Sequence, residues 1–380
     1  VTDKSLHTDV LILGGGVIGL SIARELHKSG VKDITVVERG TCGREATWAA
    51  AGMLSPQAET DEVGPFFDLC SRSRDMYPEF AAALLEETGV DVELDRTGTL
   101  YLSLTEDDAE ELLRRYEWQR NAGFAVKRLD KESLRELEPN ITDAVEFGLY
   151  FPNDWQVENR KLAAALRAYA SLNGLNILEN TTADSLLLEN AKVVGAATSA
   201  GTIHAGTTVV ATGSWTSFIK VGDDPIALEV EPVRGQMVCL AADDRPLRHV
   251  VYTHQGYLVP RQDGRILAGA TSERVGFDRS TEEATIARFA AFASGILPNA
   301  ALRVTDSWAG LRPFAPDGMP VIGRLGGVDG LSIATGHYRN GILLAPLTAR
   351  VIAENIVNGR DNDVFSTFGP QRFSKAAGGF

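Results

Sequence analysis

A strand, a glycine turn, a helix and a second strand follow one another in DVLILGGGVIGLSIARELHKSGVKDITVVERG, residues 9–40. Val10 to Leu13 form an apolar run that ends in Gly14, Gly15 and Gly16. Val17, Ile18, Ile22, Ala23 and Leu26 then recur at helical spacing, and Ile34 to Val37 form a β-branched run. Gly14, Gly16 and Gly19 stand as G-x-G-x-x-G. In that pattern the first glycine permits a tight turn, the second lets backbone approach a pyrophosphate, and the third lets helix and strand pack closely. The phosphates would rest on the free N–H groups at the helix N-terminus. Glu38 lies nineteen residues beyond Gly19, at the end of the second strand. A carboxylate there accepts hydrogen bonds from a ribose diol and repels a 2′-phosphate. The stretch predicts a site for FAD or NAD, not NADP.

At 380 residues the chain suggests two domains of common size. With 44% hydrophobic and 23% charged residues it reads as a soluble globular protein. Lys and Arg number 37 against 51 Asp and Glu, a net charge of −14, and such a surface repels nucleic acid and anionic lipid. No apolar run approaches the roughly 18 residues of a membrane helix, and the N-terminal VTDKSLHTD has no apolar stretch behind a basic start. A cytoplasmic protein is expected. Cys42, Cys70 and Cys239 are odd in number and form no C-x-x-C pair, and the six histidines show no ligand spacing, so neither a disulfide framework nor a metal is expected.

Residues 41–53, TCGREATWAAAGM, are dense in small residues, as suits a segment threaded close to a ligand or a tightly packed small-residue helix. Amphipathic helices are predicted over 67–88, 106–122 and 132–138, with a strand at 99–104. A helix ending at Gly174 is followed by strand-like runs at 175–179, 184–188 and 193–198, and by a buried strand in 207–215 that ends in Thr212 and Gly213. Alternation through 228–272 suits an antiparallel meander. Finally, 331–336 reads as a strand, HYRN as a loop and 341–358 as a long helix, with Pro346 tolerated one turn inside it. The expected fold is α/β plus α+β: a doubly wound, Rossmann-like FAD-binding domain from residues 1–60, 150–225 and 305–380, with a mixed antiparallel sheet substrate domain inserted as 61–149 and 226–304. The active site is expected between them.

Four stretches carry a resemblance: ATWAAAGML (46–54), GYLVPRQDGRILAGAT (256–271), GLRPFAPDGMPVIGR (310–324) and ATGHYRNGILLAPLTA (334–349). Through them the chain resembles the FAD-dependent D-amino acid oxidase superfamily over nearly its whole length, and most closely the glycine oxidases of thiamine biosynthesis. The resemblance implies non-covalent FAD. It places Val17 and Ile18 at the pyrophosphate turn, Glu38 and Arg39 at the adenosine, and Ala46, Thr47, Ala51, Gly52 and Met53 along the stretch towards the flavin. Ala183 aligns with a backbone contact to adenine, and the small pair Thr212 and Gly213 would let a strand end approach the cofactor. His337, Tyr338, Arg339, Asn340, Gly341, Ile342 and Leu343 would run beside the pyrimidine edge of the flavin, where the helix opening at Gly341 presents its positive dipole end.

Arg312 resembles the arginine that grips an amino acid carboxylate bidentately, just past a predicted strand; the alternative is a surface arginine stacked on Trp308. Tyr257 matches a tyrosine that helps hold the carboxylate, Arg339 is carried over as a residue near substrate and flavin, and Tyr252 is a further pocket candidate. The implied reaction takes a hydride from Cα of a neutral amine to give an imine, hydrolysed to a 2-oxo acid and ammonia, with O2 reduced to hydrogen peroxide. Orientation carries most of that step and no side-chain base is expected. Glycine, sarcosine and small D-amino acids are the expected substrates, a homotetramer the expected assembly. Covalent flavin attachment through a cysteine near Phe314 is excluded, because no cysteine follows Cys239. ATGHYRNG also differs from the G-D-A-A-H type segment of flavin hydroxylases. A broader D-amino acid oxidase or dehydrogenase, and a non-catalytic FAD-binding scaffold, are the remaining alternatives.

Overall fold

The computed structural model describes residues 5–374. Residues 1–4 and 375–380, the outer ends of the expected segments 1–60 and 305–380 and the start of VTDKSLHTD, lie outside the described residues.

The opening motif folds as its pattern predicts: β1 (Leu6–Leu13), α1 (Val17–Lys28) and β2 (Ile34–Val37). All four residues of β2 and the last four of β1 are buried, because helices cover one face of this part of the sheet and Leu186, Val193, Ala196 and Ile219 pack on the other. The parallel centre runs Asn176–Leu178, β2, β1, Gly201–Val210, Leu331–Thr335. In chain order this is the doubly wound 3-2-1-4-5 arrangement. Leu13 of β1 pairs with Val37 on one side and Val210 on the other, so the segments that follow all three strands emerge together at one edge. Ala183–Glu189 and Lys192–Thr198 meander antiparallel onto Gly201–Val210 and widen the sheet. The strand expected to reach Thr212 and Gly213 stops at Val210, and Gly213–Phe218 forms a short 3-10 helix.

Two glycines of the turn are fixed by close approach. A Cβ on Gly14 would lie 2.3 Å from Ala211 O and one on Gly19 only 1.9 Å from Gly14 O; Gly14 also has φ +108°.

A second sheet runs Arg303–Phe314, Glu231–Ala241, Arg265–Gly269, Gly256–Pro260, Val250–Thr253, Thr99–Ser103, Phe147–Phe151, Lys127–Asp130. It is mixed, since Val250–Thr253 pairs parallel with Thr99–Ser103 while its other pairs are antiparallel. One face packs on helix Glu283–Ile296 through Phe289, Phe292, Ala293 and Ile296. On the other, register aligns Trp308, Met237, Gly269, Tyr257, Tyr252 and Tyr101 in one row across the strands. Gly269 leaves room in that row: a Cβ there would lie 2.2 Å from Met237 Sδ.

Several expectations need correction. The helix expected over 67–88 is two helices, Pro65–Asp75 and Tyr77–Thr88, each opened by a proline in its first turn. Pro65–Asp75 packs against the long helix Gly341–Asn358, so it sides with the nucleotide sheet although it falls in the segment 61–149. The partnership has a polar reason. Pro346 cannot donate to the carbonyl of Ile342, which accepts the Tyr77 hydroxyl instead, while Leu343 O accepts Ser73 Oγ at 2.7 Å. At two edges sheet membership runs past the expected boundaries, since Phe147–Phe151 and the whole of Arg303–Phe314 belong to the second sheet. Thr99–Ser103, the strand expected at 99–104, is buried on both faces. HYRN contains a turn of 3-10 helix, Tyr338–Asn340, ahead of the expected helix Gly341–Asn358.

Candidate active site

The C-terminal edge of the parallel sheet faces the Met237–Tyr257 row across a cavity of about 600 Å3. At one end Gly14, Gly16, Val17 and Ile18 line it. Thr47 Oγ1 accepts the Val17 N–H at 2.9 Å and so caps the first turn of α1. Glu38 also lines the cavity, its two oxygens accepting Gly15 N at 2.8 Å and Gly40 N at 2.9 Å. Arg39 lies 3.5 Å over the Trp215 ring and pairs with Glu45 at 2.6 Å, closing this end with a flat cationic wall. Ala183, Thr212 and Gly213 stand on the same stretch.

The small-residue segment serves both readings of its composition. Ala46–Ala49 is a short helix, and Ala50 to Met53 continue along the cavity wall. Gly52 has φ +73°, and a Cβ there would lie 2.0 Å from Val157 O. The segment is clamped from behind by Asn159 Nδ2, which donates to Thr47 O at 2.8 Å and Trp48 O at 3.1 Å. Buried Arg261 adds Nη2 to Ala51 O at 2.8 Å. Arg261, outside every expected role, is thus a hub of the cavity wall.

At the far end lie Tyr257, Met237, Arg312, Arg339 and Glu59. Arg312 sits within strand Arg303–Phe314, not past it, and Nη1 donates to Thr271 O at 2.9 Å. Arg160, not Arg312, stacks on Trp308, 4.5 Å from its ring. Tyr257 Oη is 3.3 Å from Met237 Sδ. Burial pushes its phenol up, with Arg312 and Arg339 pulling the other way, so the hydroxyl is a neutral donor. Tyr252 lies behind the wall, its hydroxyl on Glu59 Oε1 at 2.5 Å.

His337, Tyr338, Arg339, Gly341 and Ile342 line the cavity where helix Gly341–Asn358 begins. His337 is buried, with Nε2 3.1 Å from Thr348 Oγ1, and burial lowers its pKa to about 3. The imidazole is therefore neutral, and the helix start presents its positive dipole end at this edge. Gly19, Asn340 and Leu343 do not line the cavity: Gly19 packs α1 on the turn, and Leu343 points its carbonyl at Ser73.

Sequence reasoning missed Gly235, Glu59, Met237, Trp215 and Arg261. Gly235 had a signal, a glycine inside a strand pattern, which marks close approach of another group. That group is the Arg312 guanidinium.

A family profile described as FAD dependent oxidoreductase matches residues 9–355. The chain belongs to that family. A glycine oxidase from Pseudomonas aeruginosa is 37% identical over 356 residues, covering 93% of this chain and 95% of that protein. A bifunctional protein ThiO/ThiG from Synechocystis sp. is 37% identical over 373 residues, 96% of this chain; the chain spans about half of that relative, 54%. The crystal structure of glycine oxidase from Geobacillus kaustophilus superposes with a TM-score of 0.89 at 34% identity, over 96% of this chain and 98% of that one. The resemblance to the glycine oxidases and the fold class are borne out.

This FAD-dependent oxidoreductase has residues that fit its cofactor. The Glu38 carboxylate and the Arg39–Trp215 stack would hold its nucleoside end, the turn and start of α1 its pyrophosphate, and the 46–53 wall with the start of helix Gly341–Asn358 its flavin, all along one cavity. Among the described residues no helix is long and apolar enough to cross a membrane.

Proposed function

We propose that the protein oxidises glycine and other small amines, among them sarcosine and small D-amino acids, to the 2-oxo acid through an imine, with O2 reduced to hydrogen peroxide. The observation that carries this reading is Arg312: a half-buried guanidinium on the cavity wall, beside a neutral tyrosine, with no carboxylate partner among the described residues. A planar fork in that setting takes a substrate carboxylate through paired hydrogen bonds. Bound FAD supplies the acceptor for the hydride that leaves Cα.

The protein's own part is placement. Arg312 and Tyr257 anchor the carboxylate, which fixes Cα and the amine relative to the 46–53 wall. The helix starting at Gly341 presents its positive dipole end at the far edge, which favours negative charge gathered there. His337 is neutral and tied to Thr348, and Tyr257 keeps its proton, so neither acts as a base. The substrate amine loses its proton to solvent before the hydride leaves, and water attacks the released imine to give glyoxylate and ammonia from glycine. Similarity to the ThiO/ThiG relative supports a place in thiamine thiazole synthesis, where the imine itself is used. A cytoplasmic homotetramer belongs to the same reading.

Anaerobic stopped-flow absorbance with glycine, sarcosine and D-alanine, followed by air, tests it. The expected result is flavin bleaching by glycine or sarcosine at least as fast as by D-alanine, with prompt recovery in air and peroxide formed. Preference for D-alanine would move the assignment to a D-amino acid oxidase, and slow recovery in air to a dehydrogenase.

A further inference from the structure

Two arginines line the substrate end, and their surroundings differ. Arg312 gives its hydrogen bond to the carbonyl of Thr271. Arg339 stands with Nη2 3.7 Å from Glu59 Oε1, the same oxygen that accepts the Tyr252 hydroxyl at 2.5 Å. The Glu59 carboxylate holds the Arg339 guanidinium above its usual pKa range, the mark of a cation already partnered.

Glu59 is held in place. It ends the short helix Pro56–Glu59, whose Gln57 and Ala58 N–H groups donate to the fully buried Asp154 carboxylate at 3.2 and 2.8 Å. Arg115 Nη1 grips Gln57 O at 3.2 Å and Thr60 O at 2.7 Å on the other side. Tyr252 is 6% exposed and packs between Tyr101 and Tyr257, so its hydroxyl has little freedom to leave Glu59. The carboxylate therefore stays on the cavity wall beside Arg339.

We propose that Glu59 is a specificity-determining residue: by partnering Arg339 it leaves Arg312, among the described residues, as the one available cation at the substrate end, so the site takes ligands with one carboxylate and disfavours those with two. The proposal rests on the reading that Arg312 holds the substrate carboxylate. Two unpartnered arginines in a partly enclosed site would attract a dicarboxylate strongly, through two sets of charge-assisted hydrogen bonds. With Glu59 in place, a second ligand carboxylate near Arg339 meets a like charge fixed at ion-pair range, 3.7 Å, from the same cation. Discrimination between glycine and an acidic amino acid such as D-aspartate or aminomalonate then comes from repulsion as much as from pocket size.

The test uses the FAD-loaded protein and two ligands without an amine, acetate and malonate, titrated by perturbation of the flavin absorbance. Binding is read without turnover. In the wild type malonate is expected to bind no tighter than acetate. In Glu59→Gln the ratio of acetate Kd to malonate Kd is expected to rise by about tenfold or more, and Arg339→Gln added to it should abolish the gain. Wild-type protein that already prefers malonate tenfold overturns the proposal without any variant. Arg339→Gln alone leaves Glu59 unneutralised and should weaken malonate more than acetate; equal weakening also overturns it. An Arg312→Gln control separates the two readings. Acetate affinity that survives this change overturns the carboxylate assignment beneath the proposal. Acetate affinity lost there, with an unchanged ratio in Glu59→Gln, overturns the role of Glu59 alone.

Discussion

Gly235 lies against the Arg312 guanidinium, so that a Cβ at residue 235 would come within 2.4 Å of Arg312 Cζ. The obstructed atoms are the far end of a flexible side chain, and the backbone of strand Glu231–Ala241 is ordinary there. Gly235→Ala is therefore expected to swing the guanidinium aside and leave the fold standing. Steady-state kinetics should show KM for glycine raised by about tenfold or more, with full FAD loading. Unchanged KM would mean that Arg312 has room to spare.

Arg312→Lys keeps the charge and loses the planar fork. It should lower kcat/KM by about 10- to 100-fold, mostly through KM, with the flavin spectrum intact. Kinetics like those of the wild type would remove Arg312 from the site.

Gly19→Ala contrasts with Gly235→Ala. Its Cβ would meet Gly14 O at 1.9 Å, and backbone cannot move aside as a side chain does. The turn or the seat of α1 must shift, so thermal melting should fall by several degrees or more, about 1–3 kcal/mol, together with loss of FAD retention. A variant that melts normally and keeps its flavin contradicts the packing given to this glycine.

Glu38→Ala removes the acceptor of two backbone N–H groups as well as the carboxylate expected at the ribose. FAD dissociation on dilution, followed by the rise in flavin fluorescence, should indicate an affinity weaker by about tenfold. Retention as tight as in the wild type would undo the assignment.

His337 gives a pH signature. Burial lowers its pKa from 6.5 to about 3, so between those values the unfolded chain binds a proton that the native protein does not. Its contribution to stability is complete above about pH 6.5 and is lost as pH falls towards about 3. Melting temperatures of His337→Gln should depend less steeply on pH across this window than those of the wild type. Parallel curves would show that the imidazole takes up its proton without cost in the native state.

The nucleotide half was legible because its signals are local. Glycine spacing, the β-branched run and the acid at residue 38 lie within one β-α-β unit, and sterics of neighbouring residues dictate each role. Helix Gly341–Asn358 was legible for the same reason, Pro346 included. Glu59 carried no local signal, and Gly235 only that of a glycine within a strand, because their roles arise from partners far away in sequence, Arg339 for one and Arg312 for the other. The helices over 65–88 show the same limit: an amphipathic pattern declares that a face is buried, not which sheet covers it. Ser73 and Tyr77 choose the neighbour of Pro346 by satisfying carbonyls that no local rule connects to them.

The sheet order has a consequence for synthesis of the protein. β1 pairs early with β2 but gains its second neighbour only when Gly201–Val210 has been made, and that strand gains its outer partner only with Leu331–Thr335. A ribosome has thus passed residue 335 before the pocket has both its floor and its far wall. Until then the outer edge of β1 is open, a natural load for chaperones. Flavin capture becomes the closing event of maturation, and its binding energy draws the late-arriving pieces together.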